Sequence, residues 1–140
     1  MTQSFHPLSE EDAYDLEAKR GWVRDHYEPP AQERYQTLEG KLSLLDAILS
    51  NNWIEPDETL KLQCLGITFG DALEQQLGLE WVMVEDEYGR DPALIQSGTS
   101  IVIFPQTSIS KRIEAGEAVD AYALFEQACE TIYRIRDEIA

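Results

Sequence analysis

Basic side chains are scarce in this chain. Lys and Arg number 11 against 27 Asp and Glu, a formal net charge of −16. No long segment reverses the sign: residues 1–79 carry −9, residues 80–91 carry −4 and residues 92–140 carry −3. Nucleic acids and anionic membrane surfaces are held through positive patches, so this balance argues against both as partners. Cysteine is confined to Cys64 and Cys129. Two widely separated thiols within apolar helical patterns make neither a disulfide framework nor a zinc site, and a cytoplasmic protein with reduced thiols is the expectation. Histidine is equally sparse: His6 and His26 have no partner at metal or triad spacing. No apolar run approaches the roughly 20 residues of a membrane span. The N-terminal residues lack the basic and apolar regions of a signal peptide. Nucleophile elbows, His-Glu-x-x-His pairs, phosphate-binding loops and dinucleotide fingerprints are also missing. From the sequence we therefore expect no catalytic residue, no metal site and no cofactor.

What remains is globular. Of the 140 residues, 43% are hydrophobic and 27% charged, the range of a folded domain with one core. One domain over residues 1–140 is expected, with residues 1–8 as a flexible lead-in. Ser9 is placed as an N-cap with Asp12 closing a capping box. Ala13, Leu16, Val23 and Tyr27 then recur at helical spacing, Arg20 completing the stripe. A second helix is predicted from Pro30 to Ser50, striped by Tyr35, Leu38, Leu42, Leu45 and Leu49. A third is predicted from Pro56 to Leu77, with Gly66 and Gly70 one turn apart where another backbone approaches closely, a helix break near Gly66 being the competing reading, and Gly78 at its C-terminal cap.

The period then changes. Residues 81–84, 92–95 and 100–104 read as three strands joined by short turns, hence an antiparallel meander. Pro92 demotes the second toward an edge, and the third is apolar enough to be central. Ser108 is placed as the cap of a short turn ending at Gly116. Ala121, Phe125, Ala128, Ile132, Ile135 and Ile139 stripe a final helix from about Ala118, expected to lie on the sheet. The fold class is thus α+β: three N-terminal helices, a three-stranded meander and a long C-terminal helix.

Two groups of residues stand out as candidate binding sites. Glu85, Asp86, Glu87, Arg90 and Asp91 crowd the first hairpin. Oxygen-rich clusters bind hard cations, but this spacing does not match a calcium loop, and a solvated acidic turn is the simpler reading. Lys111 and Arg112 are adjacent cations in an acidic chain. They fit an anionic group or, more plainly, ion pairs that hold their segment down. Trp81, among apolar neighbours, reads as core.

Several short motifs together resemble a bacterial family known only as a domain of unknown function. They are Leu-Gly-x-x-Phe-Gly-Asp at 65–71, Leu-Gly-Leu-Glu-Trp-Val at 77–82, Asp86 with Tyr88-Gly89, Ile-Phe-Pro at 103–105 and Ile-Ser-Lys-Arg-Ile-Glu at 109–114. The resemblance covers the C-terminal half, leaves the first two helices outside, and implies a small α+β domain without implying an activity. Size, charge and the missing catalytic set lead to a non-enzymatic protein-interaction module. Such small acidic chains resemble immunity proteins, which neutralise a basic partner through complementary charge. The alternative is a small-molecule-binding domain or small enzyme with a pocket between sheet and helices. A monomer is expected, or a homodimer formed through an exposed stripe on one of the first two helices.

Overall fold

The computed structural model describes residues 3–140. The first strand lies where a lead-in was expected. β1 (Ser4–His6) pairs antiparallel with β2 (Glu80–Asp86), Phe5 opposite Val84. β2 continues into β3 (Gly89–Ile95) with Trp81 opposite Leu94 and Met83 opposite Pro92, and β3 meets β4 (Val102–Ile103). The sheet therefore has four strands in the order β1-β2-β3-β4. Its outer members reverse one expectation: the apolar run at 100–104 supplies a two-residue edge strand, while the strand holding Pro92 is interior. Proline is tolerated there because β4 pairs only with Leu94 and Ile95, leaving one flank of β3 open beside Pro92.

α1 (Glu10–Arg24) begins as its sequence dictates. Ser9 Oγ accepts from the Asp12 amide at 3.1 Å and the Asp12 carboxylate accepts from the Ser9 amide at 2.9 Å. The predicted second helix is divided. A 3₁₀ segment, Ala31–Gln36, precedes α2 (Leu38–Ser50), which restarts where Thr37 caps the Gly40 amide. Gly40 is required at this junction: a Cβ there would overlap the Arg34 carbonyl. α3 (Thr59–Leu77) starts one turn later than Pro56 and ends on Gly78 at φ +68°, the left-handed cap expected.

α3 runs through the centre of the core, with every residue from Cys64 to Leu73 buried. Gly66 lies against the Pro105–Gln106 backbone, and Gly70 leaves room for the Trp81 ring, which an added Cβ would meet at 2.6 Å. α3 is therefore continuous through both glycines. The stripes of α1 and α2 are buried against it: Leu16 and Val23 from one, Leu44, Leu45 and Ile48 from the other.

α4 (Ser108–Glu114) follows a 3₁₀ turn at Pro105–Thr107. Thr107 rather than Ser108 occupies the N-cap: Ser108 is already helical at φ −60°, ψ −39°, and its hydroxyl donates back to the Phe104 carbonyl at 3.3 Å. Gly116, at φ +81°, ends the segment as predicted. α5 (Ala121–Ile139) is capped by Asp120 and packs on α2 and α3 rather than on the sheet. Phe125 meets Phe69 edge to face at 6.3 Å, Tyr122 donates to Glu39 at 2.9 Å, and Gln76 donates to Tyr133. The sheet face bearing Trp81 and Leu94 already rests on α3, so the α5 stripe finds its apolar surface on the helices.

Candidate functional site

Three places concentrate chemistry, and they differ in how much of it is open to a partner. The first is a charged cluster in the interior. Asp71 projects from the buried stretch of α3 and receives three donors: Arg20 Nε at 2.6 Å, the Tyr35 hydroxyl at 3.0 Å and Trp81 Nε1 at 3.1 Å. Since the Tyr35 proton goes to the carboxylate, Thr68 Oγ1 donates to Tyr35 at 2.9 Å. Lys41 lies over the Tyr35 ring and donates to Gln75 at 2.6 Å. Burial pushes the Tyr35 hydroxyl well above its ordinary range and lowers the Lys41 ammonium. Burial, then the charge of Asp71, raises the Glu74 carboxyl.

This cluster was missed as a unit by sequence reasoning, although each end left a mark. Arg20 interrupts an otherwise apolar stripe, and Asp71 closes the Leu-Gly-x-x-Phe-Gly-Asp motif. No buried side-chain nitrogen or oxygen among the described residues lacks a hydrogen-bond partner. The cluster is closed upon itself, which makes it a cross-link between α1, α3, β2 and the 3₁₀ segment.

The second place is the hairpin. β2 and β3 are joined through Glu87 and Tyr88, with Gly89 at φ +137° and the Tyr88 amide donating to Asp86 Oδ1 at 2.8 Å. The structure separates the candidate residues by role. Arg90 grips Asp12 with two nitrogens, at 2.6 and 2.8 Å, and so ties the hairpin to the start of α1. That contact and the Ser9 amide hold the Asp12 carboxyl well below the usual carboxylate range. Glu85 faces His6 at 3.8 Å across the β1–β2 pair, both side chains half exposed. Glu87 and Asp91 are exposed. Lys111 and Arg112 make no ion pair among the described residues; Arg112 donates to the Ser108 carbonyl of its own helix at 2.8 Å. Ion pairing is therefore not what fixes α4. The open flank of β3 forms a cleft of about 410 Å³ where Asp86, Asp91 and Lys111 meet, beside Pro92, Phe104 and Gln106. Glu85, Arg90 and Arg112 do not line it.

The third place lies on the opposite side of α3. The end of α2, the connection at 51–57 and the α4–α5 connection enclose an open apolar groove of about 530 Å³. Ile48 and Leu62 form its floor, and Leu49, Ile54, Ile113 and Val119 its walls. Its charged lining residues are Glu55 and Glu117.

Neither cysteine belongs to any of these places. Both thiols are buried and unpaired, and burial raises both. Among the described residues, no three His, Cys, Asp or Glu side chains converge as a metal site, and no helix is long and apolar enough to cross a membrane.

These features define an α+β domain whose internal charges are satisfied and whose excess acid lies outside. Residues 41–125 match the family described as "Domain of unknown function (DUF3806)", and the chain belongs to that family. The match begins at Lys41 in the first turn of α2 and ends at Phe125 in the first turns of α5, so most of α2 falls within the family region, and residues 1–40 and 126–140 lie outside it. No curated protein matches. A solved crystal structure from Bacteroides thetaiotaomicron VPI-5482 is similar, with a TM-score of 0.73 over 94% of this chain at 20% identity. That likeness extends the fold to a distant sequence. This chain spans 48% of the length of that one.

Proposed function

We propose that this protein is a non-enzymatic interaction module that binds a basic protein through its acidic surface. The observation that carries this reading is the division of its charges. Only Asp12, Glu17, Glu58 and Asp71 are ion-paired to Lys or Arg among the described residues, out of 27 carboxylates. The buried members, Asp12 and Asp71, have cations of their own, so the surplus negative charge faces solvent. Such a surface raises the association rate of a cationic partner and loses that advantage as salt screens it. An immunity-type role, in which the partner is a basic toxin held inactive, is the specific form that fits the size and charge.

The test is affinity capture of the tagged protein from its host's lysate at low and high salt, with bound proteins identified by mass spectrometry. The expected result is one basic partner that is lost as salt rises. Recovery of no specific partner in either condition overturns the reading.

A second reading draws on the hairpin cleft, where Lys111 joins Asp86 and Asp91 around one concavity. A small zwitterionic ligand would satisfy that mixture of charges. Thermal-shift screening against amino acids and similar metabolites, with Lys111→Ala as the control, separates it from the first.

A further inference from the structure

We infer that the groove between the C-terminal end of α2 and the α4–α5 connection is the docking site for an apolar anchor carried on a cationic, amphipathic segment of the partner. The inference rests on the interaction reading and adds to it where the partner's apolar residues go. Buried core residues Ile48 and Leu62 floor the groove, and Leu49, Ile54, Ile113 and Val119 are half-buried walls, packed on the core on one side and open on the other. Apolar surface that is concave and open on one side is the usual receptor for a helix-borne anchor.

Charge selects among occupants. Glu55 and Glu117 line the groove and no Lys, Arg or His does. An acidic or neutral amphipathic segment would leave these carboxylates without counter-charge in an already acidic protein. Lys and Arg flanking a Leu or Phe anchor would meet them while their aliphatic stems cover the apolar rim. A second copy of this chain is disfavoured by the same charge, −16 on each molecule.

The size of the groove favours a polypeptide segment over a small cation: at about 530 Å³, with Leu49, Ile54, Ile113 and Val119 around it, it has room for an apolar side chain and its flanking residues.

The experiment uses two synthetic helical peptides of equal positive charge, each roughly four turns long. One carries a Leu stripe opposite its Lys residues and the other carries Ser at the Leu positions. Binding is measured by titration at low salt, with methyl NMR shifts mapping the site. The Leu peptide is expected to shift the Leu49, Ile54, Ile113 and Val119 methyls and to bind about tenfold tighter than the Ser peptide, a separation worth about 1.4 kcal/mol. Val119→Gln should erase most of that preference. Glu55→Gln with Glu117→Gln, which leaves the apolar walls intact, should weaken the Leu peptide several-fold, while Glu126→Gln with Glu130→Gln on α5 should not. Equal binding of the two peptides, or shifts confined to another face, overturns the groove assignment and leaves the acidic-surface reading standing. Failure of both peptides to bind at low salt overturns both.

Discussion

Asp71 and the hairpin carboxylates carry the same chemical group into opposite circumstances. Asp71 is 5% exposed and accepts hydrogen bonds from Arg20, Tyr35 and Trp81. Glu85, Glu87 and Asp91 lie in water at the far end of β2 and β3, and none is paired with Lys or Arg. Removing charges from water is costly and is repaid only by well-placed partners, whereas exposed charges are weakly coupled to the fold. The acid in this chain therefore serves two ends: a small internal share joins elements together, and the larger external share sets what the surface attracts.

The strongest way to break this contrast is to remove the internal carboxylate. Asp71→Ala leaves the partly buried Arg20 without its counter-charge and deprives Trp81 Nε1 and the Tyr35 hydroxyl of an acceptor. The expected loss is about 3–5 kcal/mol of unfolding free energy, read by urea denaturation. A loss of under about 1 kcal/mol would mean that the cluster is not a structural cross-link. Arg20→Met, which removes both charge and demand, should restore part of the stability of the Asp71→Ala protein.

Next in size is the packing that brings β2 and the Pro105 segment onto α3. A Cβ at Gly66 would overlap the Gln106 carbonyl and meet the Pro105 carbonyl oxygen at 2.6 Å. Gly66→Ala is therefore expected to destabilise by about 1–3 kcal/mol despite alanine's better helix propensity. A stabilised variant, seen as a higher Tm, would show that the backbone approach is looser than described.

How much of this was legible follows from the range of each interaction. Local signals were readable: the Ser9–Asp12 box, Gly78 and Gly116, a turn between the first two predicted strands (though β2 and β3 run farther into it than expected), and the close approach at Gly66 and Gly70. Features that depend on distant partners were not. Ser4–His6 has no strand pattern of its own, and its partner Met83–Glu85 lies far along the chain. The α5 stripe announced burial without naming its receiver. Asp71 was one acid among 27. What distinguished it was its place within an unbroken apolar stretch of α3, matched by Arg20 in the apolar stripe of α1. The hairpin candidates drew attention through density of charge, a signal that does not report geometry. Arg90 turned out to be committed to Asp12, and only Asp86, Asp91 and Lys111 came together.

Asp12 stands between the two regions, because it caps α1 and holds the hairpin through Arg90. Its folded-state pKa is depressed, first by Arg90 and then by the Ser9 amide. The stabilisation it contributes is therefore complete above the unfolded carboxylate value near ~4 and is lost as pH falls from there toward the folded value. Asp12→Asn should be less stable than the parent at pH 7, with the gap narrowing between about pH 5 and pH 2. A gap independent of pH would show that the Arg90 contact is not maintained in solution.

The smallest expected effect on folding tests the external charges. Glu85→Gln, Glu87→Gln and Asp91→Asn together remove three charges while sparing Asp86, whose carboxylate holds the turn through the Tyr88 amide. Among the described residues the only side-chain contact these changes weaken is the half-exposed His6–Glu85 pair, so the change in unfolding free energy should stay within about 0.5 kcal/mol. Association with a basic partner should slow, and its salt dependence should flatten, with dissociation little altered, because rim charges act mainly on encounter. Denaturant unfolding and stopped-flow association on the same protein read the two effects separately. A loss of stability approaching that of Asp71→Ala would erase the contrast between the regions. An unchanged association rate at low salt would mean that the negative field arises elsewhere on the surface, with the carboxylates around the groove the next to neutralise.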